Sequence, residues 1–179
     1  MDKETTWLIR KASVDEYKAV RKFYHDLIDR MQDAQYGPGW EKEVYPSDAY
    51  LKESLEKQEL FVGIQDGQII AAMIINHSCN ESYKKVQFST TFAENEVMVI
   101  HALGVLPDFG RNGYGKKLVE KAVSYAKEYE QKALRLDVLG GNLPAEKLYT
   151  GIGFRYISTI PMFYEDTGWT EYKVYEYLL

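Results

Sequence analysis

Apolar residues recur at two periods along this chain, and the switches between them predict its elements. Thr6-Trp7-Leu8-Ile9-Arg10 reads as a first strand, and Ser13-Val14-Asp15-Glu16 behind it is a capping box with Ser13 as N-cap. Tyr17, Val20, Tyr24, Leu27, Ile28 and Met31 follow at helical spacing and predict an amphipathic helix. Tyr36-Gly37-Pro38-Gly39-Trp40 stops that helix and opens an irregular loop. A shorter helix begins after Pro46-Ser47 and buries Leu51 and Leu55. Residues 60–65 and 68–76 form a hairpin about Asp66-Gly67, a pair whose residues tolerate the positive φ such a turn needs. Residues 77–95 are polar, with a strand expected at 85–89.

Residues 97–105 are apolar almost without a break, which places that strand in the middle of a sheet. A glycine-punctuated turn at 107–115 leads into a long helix whose buried face carries Val119, Ala122, Val123 and Ala126. A strand at 133–139, a Gly140-Gly141 turn, a short helix at 144–151 and strands at 154–158 and 172–177 complete the pattern. The order β-α-α-β-β-β-α-β-α-β-β predicts an α/β fold with a mixed central sheet of six or seven strands and about four flanking helices. No repeat or low-complexity linker divides it, so residues 1–179 read as one domain.

Composition narrows the function. Lysine plus arginine number 22 against 27 aspartate plus glutamate, a net charge of −5 that makes a general nucleic-acid binder a poor fit. Cys79 is the lone cysteine, so neither an internal disulfide nor a cysteine-rich zinc site is expected. Met1-Asp2-Lys3-Glu4 shows no signal pattern, and the longest apolar run, residues 69–75, falls far short of the ~18 residues of a membrane span. The expectation is a reduced, cytoplasmic protein with no membrane or nucleic-acid partner. Fifteen tyrosines call for polar partners in or beside the core.

The chemistry concentrates where the central strand meets the long helix. Leu103, Val105, Gly110, Arg111, Asn112, Gly113, Gly115 and Lys116 lie between a buried strand and the first turn of a helix. The first amides of a helix have no internal partner, and the helix dipole adds positive potential there. Glycine lets that backbone approach a phosphate closely, and Arg111, Lys116 and Lys117 add full charge, so a pyrophosphate fits. The same pattern also suits a plain strand–helix turn. Walker-type and G-x-G-x-x-G phosphate loops do not match.

Gly110-Arg111-Asn112-Gly113-Tyr114-Gly115 resembles the acetyl-CoA signature of the GNAT superfamily of N-acetyltransferases, Gln/Arg-x-x-Gly-x-Gly/Ala. Gly113 and Gly115 fill both small positions, while Gly110 replaces the usual Gln or Arg, with an arginine one place later. Residues 142–154 are similar to the family's Asn-x-x-Ala-x-x-Leu-Tyr-x-x-x-Gly-Phe segment at each marked position. The resemblance implies acetyl-CoA as cosubstrate, its pyrophosphate on the turn amides and its pantetheine arm against Leu103 and Val105. It further implies Asn142 on the pantetheine amides or adjacent backbone, and Tyr149 as the general acid that protonates the departing thiolate. Without the resemblance, Tyr149 would read as a core tyrosine on an apolar stripe.

Direct transfer needs a neutral amine, and most alkyl amines are protonated at pH 7. Alternation along the central strand puts His101 on the same face as Leu103 and Val105, and an imidazole suits a base. Glu96, at the strand's start, is the second candidate, since the family often carries a base on this strand. Each also reads as structural, and so does Asp137; His25 and His77 show no pairing. The acceptor wall is expected from residues 31–48 and 77–95. There Asp33, Glu41, Glu43 and Asp48 would attract a cationic amine, with Tyr36, Trp40 and Tyr45 stacking on it, unless the loop is simply a solvated acidic one. The expected partner is a small-molecule or peptide amine, and a homodimer is compatible with the sequence. The competing reading is a non-catalytic acyl-CoA-binding sensor, which would keep the cradle and need no Tyr149.

Overall fold

The computed structural model describes residues 7–179, so Thr6 and the Met1-Asp2-Lys3-Glu4 segment lie outside the described residues. The elements are β1 (Trp7–Lys11), α1 (Tyr17–Met31), α2 (Asp48–Glu56), β2 (Leu60–Gln65), β3 (Gln68–Asn76), β4 (Val97–Val105), α3 (Tyr114–Glu128), β5 (Ala133–Leu139), α4 (Leu143–Ile152), β6 (Arg155–Tyr164) and β7 (Gly168–Leu178). The strands form one sheet in the order β1-β2-β3-β4-β5-β7-β6. Among the described strands only β4 and β5 pair in parallel. β4 takes the central position its apolar sequence predicts. No helix among the described residues is long and apolar enough to cross a membrane.

Helix α1 buries Val20, Phe23, Tyr24 and Leu27, the stripe its periodicity marks. The Glu16 carboxylate accepts the Ser13 amide at 2.8 Å and takes both Arg10 guanidinium nitrogens at 2.8 Å. That pairing holds Glu16 down to about 2, from an ordinary value of 4.5. The carboxylate is therefore worth its full stabilisation above pH 4.5, and the contribution is lost as the pH falls toward 2. Arg10 is 40% exposed, so solvent screens the pair. Glu16→Gln is expected to cost about 1 kcal/mol at pH 7, a difference from wild type that narrows below pH 4.5 and closes as the pH reaches about 2 in urea melts.

Three features depart from the sequence pattern. No strand forms at 85–89. Instead Glu81–Lys85 makes a 3-10 turn, with the Asn80 side chain accepting the Ser82 amide at 2.9 Å. Tyr83 and Val86 then pack on Met162, Tyr172 and Val174, so the segment covers a sheet face rather than extending an edge. The last two strands run longer than their apolar cores, because β6 is an edge strand with polar, exposed positions and tolerates Pro161.

The third departure shapes the site. Ala72 pairs with Gly104, but Ile74 pairs with His101, so Ala102 and Leu103 together oppose Met73. This bulge puts Ala102 at φ 49 and breaks the side-chain alternation of β4. The expectation that His101 shares a face with Leu103 and Val105 fails for that reason. A Cβ on Gly104 would meet Leu27 of α1, whereas Val105 lies against Gly115 of α3. His101 faces Tyr50 of α2, with ring centroids 6.4 Å apart, on the α1–α2 side and away from Val105.

Candidate active site

The parallel pair β4–β5 stays together for only three registers, Val97 with Ala133, Met98 with Leu134 and Val99 with Arg135. Beyond them the strands diverge, while β3 and β7 keep the far edges occupied. The two inner edges thus face each other without a strand between them, and their peptide groups need a polar partner. Residues 100–103 and 136–139 line the resulting cavity of about 100 Å³. An extended ligand that carries its own amides can pair there as an added strand does.

The helix end opens beside this cleft. Gly113 is the N-cap of α3 at φ 78, and the first helical bond runs from Lys117 N–H to Gly113 C=O at 3.0 Å. The amides of Tyr114, Gly115 and Lys116 are thereby left to another acceptor. Nothing lies within 4 Å of a Cβ built on Gly113, so the space before these donors is open. On Gly115, a Cβ would stand 3.3 Å from Leu148, so its glycine keeps α3 and α4 close. Gly110 donates its amide to Pro107 at 3.0 Å, and a Cβ there would crowd the same carbonyl. Of the basic residues, Arg111 is exposed and Lys116 lies 3.8 Å from Glu120. Lys117 turns over the rings of Trp7 and Tyr114, away from the free amides. Asn112 bonds back to Phe109 C=O at 3.3 Å.

Helix α4 delivers the second half. Asn142 caps it, its side chain accepting the Ala145 amide at 3.4 Å, and also lines the cavity. Tyr149 is 7% exposed, packs edge-on to Phe154, and lines the same cavity. None of the described residues hydrogen-bonds its hydroxyl. Burial, and secondarily the Asp137 charge, hold that phenol above its ordinary value, so it stays protonated.

The two base candidates separate. His101 lines the cavity, and its Nε2 lies 2.9 Å from Asn76 Oδ1 and 3.0 Å from Ser78 C=O. Both partners are acceptors, since Asn76 Oδ1 already takes the Ser78 amide, so Nε2 carries the proton and Nδ1 keeps the lone pair. Burial draws the imidazole down to about 4, which leaves it neutral at pH 7. Glu96 does not line the cavity; its carboxylate accepts the Ala93 amide at 2.9 Å in the turn before β4.

The acidic residues expected around the acceptor do not line this cavity. Glu43 and Asp48 are tied to Arg21 at 2.9 and 2.8 Å, and Asp33 and Glu41 are exposed. Trp40 and Tyr45 do line the cavity, joined by Pro38, Tyr164, Asp166, Tyr172 and Asp137. Asp137 accepts from the Tyr83 hydroxyl at 2.8 Å and from the Tyr164 hydroxyl at 3.0 Å. A charged residue inside the apolar run of β5 was the sequence signal for it. His77, expected to be unpaired, has its Nδ1 2.8 Å from Val97 C=O.

A model of the acetyltransferase (GNAT) family matches residues 22–154, which take in most of α1, the split strands, the glycine turn and α4. The chain belongs to the GNAT family of acetyltransferases. An uncharacterised N-acetyltransferase of Archaeoglobus fulgidus is 28% identical over 147 residues, covering 82% of this chain and 92% of that one. Among solved structures, a GNAT-family acetyltransferase of Streptococcus agalactiae has a TM-score of 0.79 at 14% identity, over 97% of this chain and 95% of that one. The yncA structure from Salmonella typhimurium, solved with its cofactor acetyl-CoA, has a TM-score of 0.71 at 14% identity, over 97% and 94% of the two chains. This GNAT protein is an N-acetyltransferase with acetyl-CoA as its cosubstrate.

Proposed function

We propose that this enzyme passes the acetyl group of acetyl-CoA directly to an amine held in the same cleft, within a ternary complex. The observation that carries the reading is the split between β4 and β5, with the unpartnered Tyr149 hydroxyl inside it. The free amides of residues 114–116 suit the pyrophosphate, with Arg111 and Lys116 adding charge, and the open space before Gly113 admits it. Leu103 and Val105 offer peptide groups along β4, and Asn142 sits across the cleft. Bound there, acetyl-CoA supplies an acyl group on a sulfur leaving group. Tyr149 then gives its phenolic proton to the sulfur as the carbon–sulfur bond breaks. His101 offers Nδ1 as an acceptor for the proton the amine loses, directly or through water.

Among the described residues, the cavity lining contains no cysteine, serine, threonine or lysine, so a covalent acetyl-enzyme would have to form on an imidazole, a carboxylate or a phenol. Initial rates measured while both substrates are varied are expected to give intersecting double-reciprocal lines; parallel lines would remove the ternary complex. An acyl-CoA sensor would bind the thioester yet release no thiol. The protonated, unpartnered phenol favours catalysis, and thiol release from acetyl-CoA with a mixed panel of amines, polyamines, amino acids and peptides separates the two readings.

A further inference from the structure

Building on that ternary-complex reading, we infer that the acceptor is a primary amine bearing no anionic group, its cationic end received by Asp137 against an aromatic wall. Among the described residues, Asp137 and Asp166 are the only acidic side chains that line the cavity, His101 there is neutral, and no lysine or arginine lines it. Tyr83 and Tyr164 donate to Asp137 from the protein side, two donors against the four or so lone-pair sites of a carboxylate. Oδ1 takes only the Tyr164 hydroxyl, so it retains capacity for an ammonium.

The wall beside it is continuous: Trp40 meets Tyr45 at 6.1 Å between centroids, Tyr45 meets Tyr164 at 6.1 Å, and Tyr164 meets Tyr172 at 4.9 Å. Such faces attract cations. The unpartnered Tyr149 hydroxyl lines the same space, so this end opens onto the reacting centre. Arg135, on the same strand as Asp137, pairs with Glu176 at 2.7 Å and lies over Phe88. A carboxylate or phosphate on the acceptor would therefore meet negative charge, with no lysine or arginine among the described lining residues to receive it.

The test compares amines with the α-amino acids from which they differ by one carboxylate: tyramine with tyrosine, agmatine with arginine, cadaverine with lysine. Thiol release is expected to show at least one amine exceeding its parent by about 30-fold or more in kcat/KM, the size expected for a buried, unmatched charge. For that amine Asp137→Asn is expected to raise KM about 10-fold or more. The KM for acetyl-CoA should stay within twofold or so, and melting should show the variant folded. Equal or better use of the amino acid in every pair overturns the assignment. So does thiol release by none of the six while acetyl-CoA binds in calorimetry, or an Asp137→Asn enzyme whose preference is unchanged. The wild-type comparison decides the acceptor class even if the variant does not fold. Parallel-line kinetics with the amine preference intact would remove the ternary complex and leave this assignment standing.

Discussion

Tyr149→Phe is expected to lower kcat about 10²- to 10³-fold, with the KM for acetyl-CoA moving less than about threefold. The two side chains have the same shape, so the edge-on packing against Phe154 at 5.7 Å survives. The hydroxyl has no partner among the described residues, so its removal orphans nothing in the protein and melting should hardly move. What goes is the proton that the departing sulfur takes. Because burial holds the phenol above its ordinary value, wild-type turnover should show no alkaline limb from Tyr149 below pH ~10. Unchanged turnover of the variant at saturating acetyl-CoA would end the general-acid role and move attention to the sensor reading.

Gly113→Val is the second large effect, a fall in acetyl-CoA affinity of about 100-fold or more in titration calorimetry. The cause is the open space before the free amides of α3 rather than a clash with the protein, since no atom lies within 4 Å of a Cβ at this position. A branched side chain would fill the volume the pyrophosphate needs. It would also sit at φ 78, where a non-glycine residue costs about 1–2 kcal/mol. Gly113→Ala carries most of that strain and much less bulk, so a similar fall in melting temperature with a milder affinity loss is expected. Equal affinity losses in the two variants would assign the effect to backbone strain, and full affinity in the valine variant would remove the cradle.

Much of the fold was readable because local chemistry and global fold agree. The Asp66-Gly67 hairpin, the helix start after Pro46-Ser47 and the apolar stripes of α1 and α3 each follow from spacing and from residues that suit a particular turn or helix end. The glycine turn and the Asn142-to-Phe154 segment were legible for the same reason: each ends or begins a helix with backbone geometry that few residues allow. Residues 85–89 misled because Val86 and Phe88 alternate like a strand while the packing of Tyr83 and Val86 sets where the segment lies. The face of His101 was illegible because alternation assumes regular pleating, and the bulge at Ala102 answers to the register with β3, which sequence order does not contain.

By itself the sequence determined the order of the elements, the glycine-bearing start of α3 and the tyrosine of α4, since all are set by neighbours a few residues apart. Only the tertiary structure decided how far β4 and β5 stay paired, and hence where the cavity opens. It also put Asp137, rather than the acidic loop residues, in the lining of that cavity. Residues from α4, β5, the turn at Glu81–Lys85 and the β6–β7 hairpin meet there, and the strength of a carboxylate or a phenol depends on the burial and partners such long-range packing creates.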